Sequence, residues 1–239
     1  DKVQYVNYQE AVISFVVRNG VVLPSQITED MTLTKDNYYI IPNATYIAEG
    51  VTVTVEEGTQ IQFWSDDPKD PYADTYIAYL NVAGNFITKG TVEEPVKLFP
   101  SGMMDSYIVE IKKSGNGYVS LEYTTVTNPA INIDYADHCT FNQNYVNVLY
   151  YRHLSGGRVQ TNDYGNVMIN ATLVENSLVY KLSGRYYGKA PIYGSYISCA
   201  FVDSEIDYNV TAEDCIFIGN NLEGYNSSMI SRYFNVGFN

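Results

Sequence analysis

Trp64, Tyr72 and Tyr76 lie in or beside the stretch WSDDPKDPYADTY (64–76), which also carries Asp66, Asp67, Asp70 and Asp74. An aromatic ring offers apolar area with polar edges, so these three residues are of a type that stacks on a sugar ring. The four carboxylates are hard oxygen donors of the kind that hold Ca²⁺ together with backbone carbonyls. They lack the alternate-residue spacing and the glycine of an EF-hand loop. The expectation is a solvated acidic loop without a metal, with Ca²⁺ at Asp66, Asp67, Asp70 and Asp74 as the alternative.

A second cluster is Asp137-His138-Cys139-Thr140-Phe141, with Asp134 three residues before it. His138 and His153 are the only histidines, and neither falls in the spacing of a nucleophilic triad or a metal set. The plain reading is that Cys139 and Phe141 are core and that Asp137 and His138 are solvated at a corner. Cys139, Cys199 and Cys215 have no CxxC spacing, and each is followed two residues later by Phe: Phe141, Phe201 and Phe217. That pattern predicts small inward thiols at equivalent places on successive turns of chain rather than a disulfide framework.

The elements that would position these residues are short strands. Gly50–Phe63 reads GVTVTVEEGTQIQF, and Leu80–Phe99 reads LNVAGNFITKGTVEEPVKLF. Each alternates apolar with polar residues, turns at a glycine (Gly58, Gly90) and alternates again, which coils a chain into a solenoid. Thr32-Leu33-Thr34 and Thr52-Val53-Thr54 suggest a turn of about 20 residues. Phrases around Cys139, Asn176, Cys199 and Cys215 suggest further coils, with Asn176 in register with the cysteines and a coil near Gly157–Val159 between. Residues 1–34 are expected to form an N-terminal cap that shields the first coil, and residues 35–239 the solenoid.

The chain has 239 residues, 24 of them Tyr, and is 46% hydrophobic and 17% charged, a composition that excludes disorder. Its net charge of −13 repels phosphate backbones and so argues against nucleic acid as a partner. No apolar run approaches the ~18 residues of a membrane span.

The two quoted segments resemble the N-terminal coils of right-handed parallel β-helix proteins of the pectate-lyase-like type, in particular bacterial cell-surface or secreted members. The resemblance covers roughly Thr34 to Asn221. It implies an all-β right-handed parallel β-helix of three sheets, an extracellular or cell-surface location, and contact with polysaccharide or a surface protein. Asp137-His138-Cys139-Thr140-Phe141 also resembles the Asp-His-Cys-x-Phe coil of pectate lyases, in which the Asp helps bind Ca²⁺ and a later Arg is the base. Here Tyr135-Ala136 replaces that family's Trp-Ile, and its Arg-x-Pro-x-x-Arg motif is absent around Arg152, Arg158 and Arg185. The expected function is therefore a non-catalytic surface module for binding, adhesion or spacing, with no cofactor. The alternative is a Ca²⁺-dependent uronate lyase acting by β-elimination through Asp134, Asp137 and one of Arg152, Arg158 or Arg185.

Overall fold

Val51, Val53 and Val55 are buried while Thr52 and Thr54 are half-buried. Gly58 turns the chain at φ 68°, and Ile61 and Phe63 are buried again on the next strand. Period-two alternation with one face dry is what a coil around a single core requires. The computed structural model describes residues 19–64, 76–101, 107–142, 148–161, 167–180, 192–204 and 210–219, and among these it contains twenty-one strands, β1 to β21 in chain order.

The strands stack in register into three parallel walls of an all-β, right-handed parallel β-helix. Wall 1 holds β1 (Asn19–Val22), β4 (Asn37–Pro42), β7 (Gln60–Trp64), β10 (Val96–Pro100) and β13 (Thr124–Thr127). Wall 2 holds β2 (Gln26–Ile27), β5 (Ala44–Ile47), β8 (Tyr76–Val82) and β11 (Tyr107–Lys113). Wall 3 holds β3 (Met31–Leu33), β6 (Thr52–Glu56), β9 (Asn85–Lys89) and β12 (Tyr118–Glu122). The next strand, β14 (Pro129–Asn142), wraps all three walls in one run.

Two details differ from the sequence expectation. Thr32, not Thr34, pairs with Thr54, so the step is 22 residues and the two Thr-x-Thr phrases are offset by two. The coil also begins inside the segment expected to be the cap, since β1, β2 and β3 already pair with β4, β5 and β6. Residues 1–18 lie outside the described residues.

The core is a stack of like side chains. On wall 1 the inward column runs Tyr39, Ile61, Leu98, Val126 and Phe141, all buried. Further along, Phe201 and Phe217 stack at 4.9 Å with rings 2° from parallel. Cys139, Cys199 and Cys215 are all buried, as expected of inward thiols.

The corner from wall 3 to wall 1 has a repeated construction. Tyr123, His138, Asn176, Ser198 and Asp214 take left-handed backbone there, with φ between 43° and 53°. The residue after each is small, buried and polar: Thr124, Cys139, Ser177, Cys199 and Cys215. Each of these donates to the carbonyl two residues back, from Thr124 Oγ1 to Glu122 (2.9 Å) and Ser177 Oγ to Glu175 (2.7 Å) to Cys215 Sγ to Glu213 (3.2 Å). Four of these carbonyls, those of Glu122, Asp137, Ile197 and Glu213, also accept a backbone N–H from the neighbouring rung, and the short hydroxyl or thiol adds a second donor without adding bulk. Asn176 therefore lines up with Ser198, and Ser177, not Asn176, shares the cysteine position, which corrects the sequence register by one residue.

One rung runs backwards. After β14 the chain returns as β15 (Val148–Thr161), antiparallel to β14 along its length, with Asn142 opposite Val148 and Ala130 opposite Gln160. It then turns again into β16 (Val167–Glu175), antiparallel to β15, and β17 (Leu178–Tyr180). The connections 143–147 and 162–166 are too short for a parallel crossover, and such lengths close hairpins. Parallel winding then resumes: β18 (Ile192–Ile197) and β20 (Val210–Glu213) follow β16, while β19 (Ala200–Val202) and β21 (Ile216–Ile218) follow β17. The span from Cys139 to Asn176 is thus one reversed and one forward rung, not two parallel coils.

Candidate binding face and corner cleft

The outer face of wall 1 is free of carboxylates from β4 to β14. Its strands, NYYIIP, QIQFW, VKLFP, TTVT and the closing TFN of β14, contain no Asp or Glu, in a chain with 27 of them. Two outward columns result from the register. One runs Tyr38, Gln60, Lys97, Thr125, Thr140; the other runs Ile40, Gln62, Phe99, Thr127, Asn142. Tyr38 and Phe99 approach across the glutamines at 6.1 Å between ring centroids, tilted by 59°. Partial burial pushes the Tyr38 phenol above its ordinary value, so it remains a neutral hydrogen-bonding group.

Trp64 closes β7 at the edge of this face with 43% of its surface exposed. Four residues separate it from Gln60, about 13 Å along the strand at ~3.3 Å per residue. Its carbonyl accepts the Asn43 N–H at 2.9 Å, so the backbone is fixed while the indole stays available. Tyr76 begins β8 on wall 2, and its side chain lies outside the described residues, as do Tyr72 and the carboxylates Asp66, Asp67, Asp70 and Asp74. Sequence reasoning found Trp64 but missed Tyr38, Gln60, Gln62 and Phe99. Their common signal was outward parity on strands of one wall.

The residues of the lyase reading are only partly brought together. Asp134 ion-pairs with Lys113 and accepts the Val119 N–H at 2.8 Å, which ties β14 to the corner between β11 and β12. Asp137 lies 3.0 Å from His138 Nδ1, and His138 stacks on Tyr123 at 4.5 Å. The reversed rung brings His153 opposite Asp137, with Glu175 on its other side. Arg152, between His153 and Tyr151, falls level with His138, whereas Arg158 pairs with Asn132 on wall 2. Arg185 lies outside the described residues. Both oxygens of Asp134 are thus engaged by protein partners, and among the described residues no three His, Cys, Asp or Glu gather as a metal site. These side chains do not fit a Ca²⁺ site built on Asp134 and Asp137.

A cleft of about 570 Å³ opens at the wall 3 to wall 1 corner beyond the reversed rung. Arg152, Asn176, Ser198 and Asp214 supply its polar lining, Leu178 and Ile216 its apolar lining, and Cys199 also borders it. Leu178 and Ile216 belong to an apolar end of wall 1 that includes Ile218, 56% exposed.

No protein-family model matches the chain, and neither the curated proteins nor the solved structures contain a match. Among the described residues no helix is long and apolar enough to cross a membrane.

Proposed function

We propose that this protein is a non-catalytic, extracellular or cell-surface module that binds polysaccharide on the outer face of wall 1. The observation that carries the reading is the absence of carboxylates from that face while Tyr38, Phe99, Trp64, Gln60 and Gln62 are gathered on it. Aromatic rings supply stacking area, amides and hydroxyls supply donors and acceptors, and a rigid sheet fixes their spacing. Neutral sugars need those groups and no countercharge. The kinship with pectate-lyase-like β-helix proteins of bacterial surfaces, inferred from Gly50–Phe63 and Leu80–Phe99, points the same way. The uronate-lyase alternative has less support, because Asp134 is paired with Lys113 and Arg158 stands on a different wall from Asp137.

Glycan-array binding followed by titration calorimetry tests this. A neutral glycan bound by the wild type should lose at least tenfold in affinity on Trp64→Ala or Gln62→Ala. A glycan bound equally well by both variants would remove wall 1 as the site. Formation of unsaturated uronate dependent on Asp137 would replace binding with catalysis.

A further inference from the structure

Cys199 and Cys215 occupy the same corner position on adjacent rungs. Pairing holds on both sides of them: Ile197 is opposite Glu213 before the corner, and Ala200 is opposite Ile216 after it. Their Cα atoms are therefore separated by about one strand spacing, ~4.8 Å, inside the ~4.4–6.8 Å window of a disulfide. Cys199 Sγ lies 3.3 Å from the Ile197 carbonyl of its own rung, and Cys215 Sγ reaches across to the Tyr196 carbonyl at 3.6 Å. The two thiols lie side by side at this corner, each donating to backbone carbonyls. Independently of that pairing, the corner cleft is bordered by Cys199 and by Asp214 and Ile216 on either side of Cys215, which brings a small reagent to the edge of the pair.

We propose that Cys199 and Cys215 are a redox site that closes to a disulfide with a peroxide or a small disulfide as oxidant, joining these two rungs covalently. With hydrogen peroxide, the Cys215 thiolate attacks one peroxide oxygen, the O–O bond breaks, and the departing hydroxide takes up a proton as water. The Cys199 sulfur then displaces hydroxide from the Cys215 sulfenic acid. The S–S bond forms, a second water leaves, and two thiols have given two electrons to one peroxide. The neighbouring Cys199 thiol favours the Cys215 thiolate and holds its pKa below the ordinary thiol value, while the same proximity and burial push Cys199 up. Cys139 is the internal control. It sits in the same column, but the rungs on either side bring Thr124 and Tyr151 to its level, so it has no thiol to join.

The test treats the full chain with hydrogen peroxide, or separately with oxidised glutathione, then unfolds it and blocks free thiols with iodoacetamide. Cleavage after glutamate cuts at Glu205 and Glu213, so a bond between Cys199 and Cys215 appears as two linked peptides lacking two hydrogens. That linked pair, with Cys139 alkylated, is the expected result, and it should persist in Cys139→Ser and vanish in Cys215→Ser. Ser177 already occupies this corner position, so serine suits it. If serine variants fail to fold, the wild-type map alone decides. Three alkylated cysteines, unlinked oxidation of Cys199 or Cys215, or a link to Cys139 would each overturn the proposal.

Discussion

Asp137 and His153 stand directly opposite each other although their strands run in opposite directions. That pairing depends on the reversed rung, since a parallel coil would carry residue 153 along the axis in a different register. Spin labels at Asp137→Cys and His153→Cys, with the native cysteines changed to serine, should show strong dipolar broadening because paired Cα atoms lie about 5 Å apart. Spectra equal to the sum of the single labels would mean the rung is not reversed.

Binding on wall 1 should be nearly indifferent to salt. Lys97 is the one charged residue in its two outward columns from β4 to β14, so screening has little to act on. Affinity for a neutral glycan should change by less than threefold between low and physiological ionic strength, and by as little on Lys97→Ala. Phe99→Ala should weaken it by about 0.5–1.5 kcal/mol, the range of an aromatic contact. A steep salt dependence by calorimetry would place the ligand on another face.

Gly117 is tightly held. A Cβ there would sit 1.9 Å from the Val82 carbonyl oxygen of the preceding coil, too close for any side chain. Gly117→Ala should lower stability by about 1–3 kcal/mol through forced backbone shifts. Gly20→Ala, where a Cβ meets nothing within 4 Å, should leave it unchanged within about 0.5 kcal/mol. Denaturant midpoints of the two variants compare them directly. Equal losses would contradict the packing at the wall 2 to wall 3 corner.

The corner hydroxyl of Ser177 serves two backbone groups, donating to the Glu175 carbonyl at 2.7 Å and accepting the Arg152 N–H at 3.2 Å. Ser177→Ala should cost about 1–3 kcal/mol, the penalty of unsatisfied buried groups. Ser177→Cys should cost less, because a thiol fills the same position on the next rung. If alanine and cysteine proved equivalent in thermal unfolding, the hydrogen bonds would have no part in holding the corner.

Burial pushes the Cys139 thiol from an ordinary value near 9 up to about 12. The folded chain keeps this proton over a range where the unfolded chain has lost it. Its stabilising effect is complete below about pH 9 and declines as pH rises toward about 12. Denaturant midpoints should fall with pH above the ordinary thiol value, and Cys139→Ala should flatten that slope. An unaltered slope in the variant would assign the alkaline loss elsewhere, with the buried Tyr196 phenol, also pushed up, as the next group to test.

The winding was legible in Val51, Val53, Val55, Ile61 and Phe63 because alternation and glycine corners are local properties. The inward cysteines were legible for the same reason. The reversal at β15 was not, since period-two alternation is the same read in either direction. The turn-rich Asn162-Asp163-Tyr164-Gly165-Asn166 between apolar runs was the available signal of a hairpin. The one-residue slip at Asn176 arose because serine suits both the left-handed corner position, as Ser198, and the buried position, as Ser177. On the candidate face, Trp64 could be picked out by type alone. Tyr38, Gln62 and Phe99 become neighbours only after two circuits of the coil. Asp134 and Asp137 looked like a pair because three residues of sequence do not reveal a corner between walls 2 and 3.

Asn142 pairs with Thr127, and Val167 comes level through Thr161 with Pro129, so one corner residue equivalent to Asn128 would join them. The reversed strand β15 is therefore a single return pass across the three walls. Deleting residues 143–165, so that Asn166 takes the corner place of Asn128, should leave an uninterrupted one-directional spiral, one storey shorter. Such a segment can be gained or lost in evolution without rewinding anything downstream, and an engineer could lengthen or shorten the column at this seam.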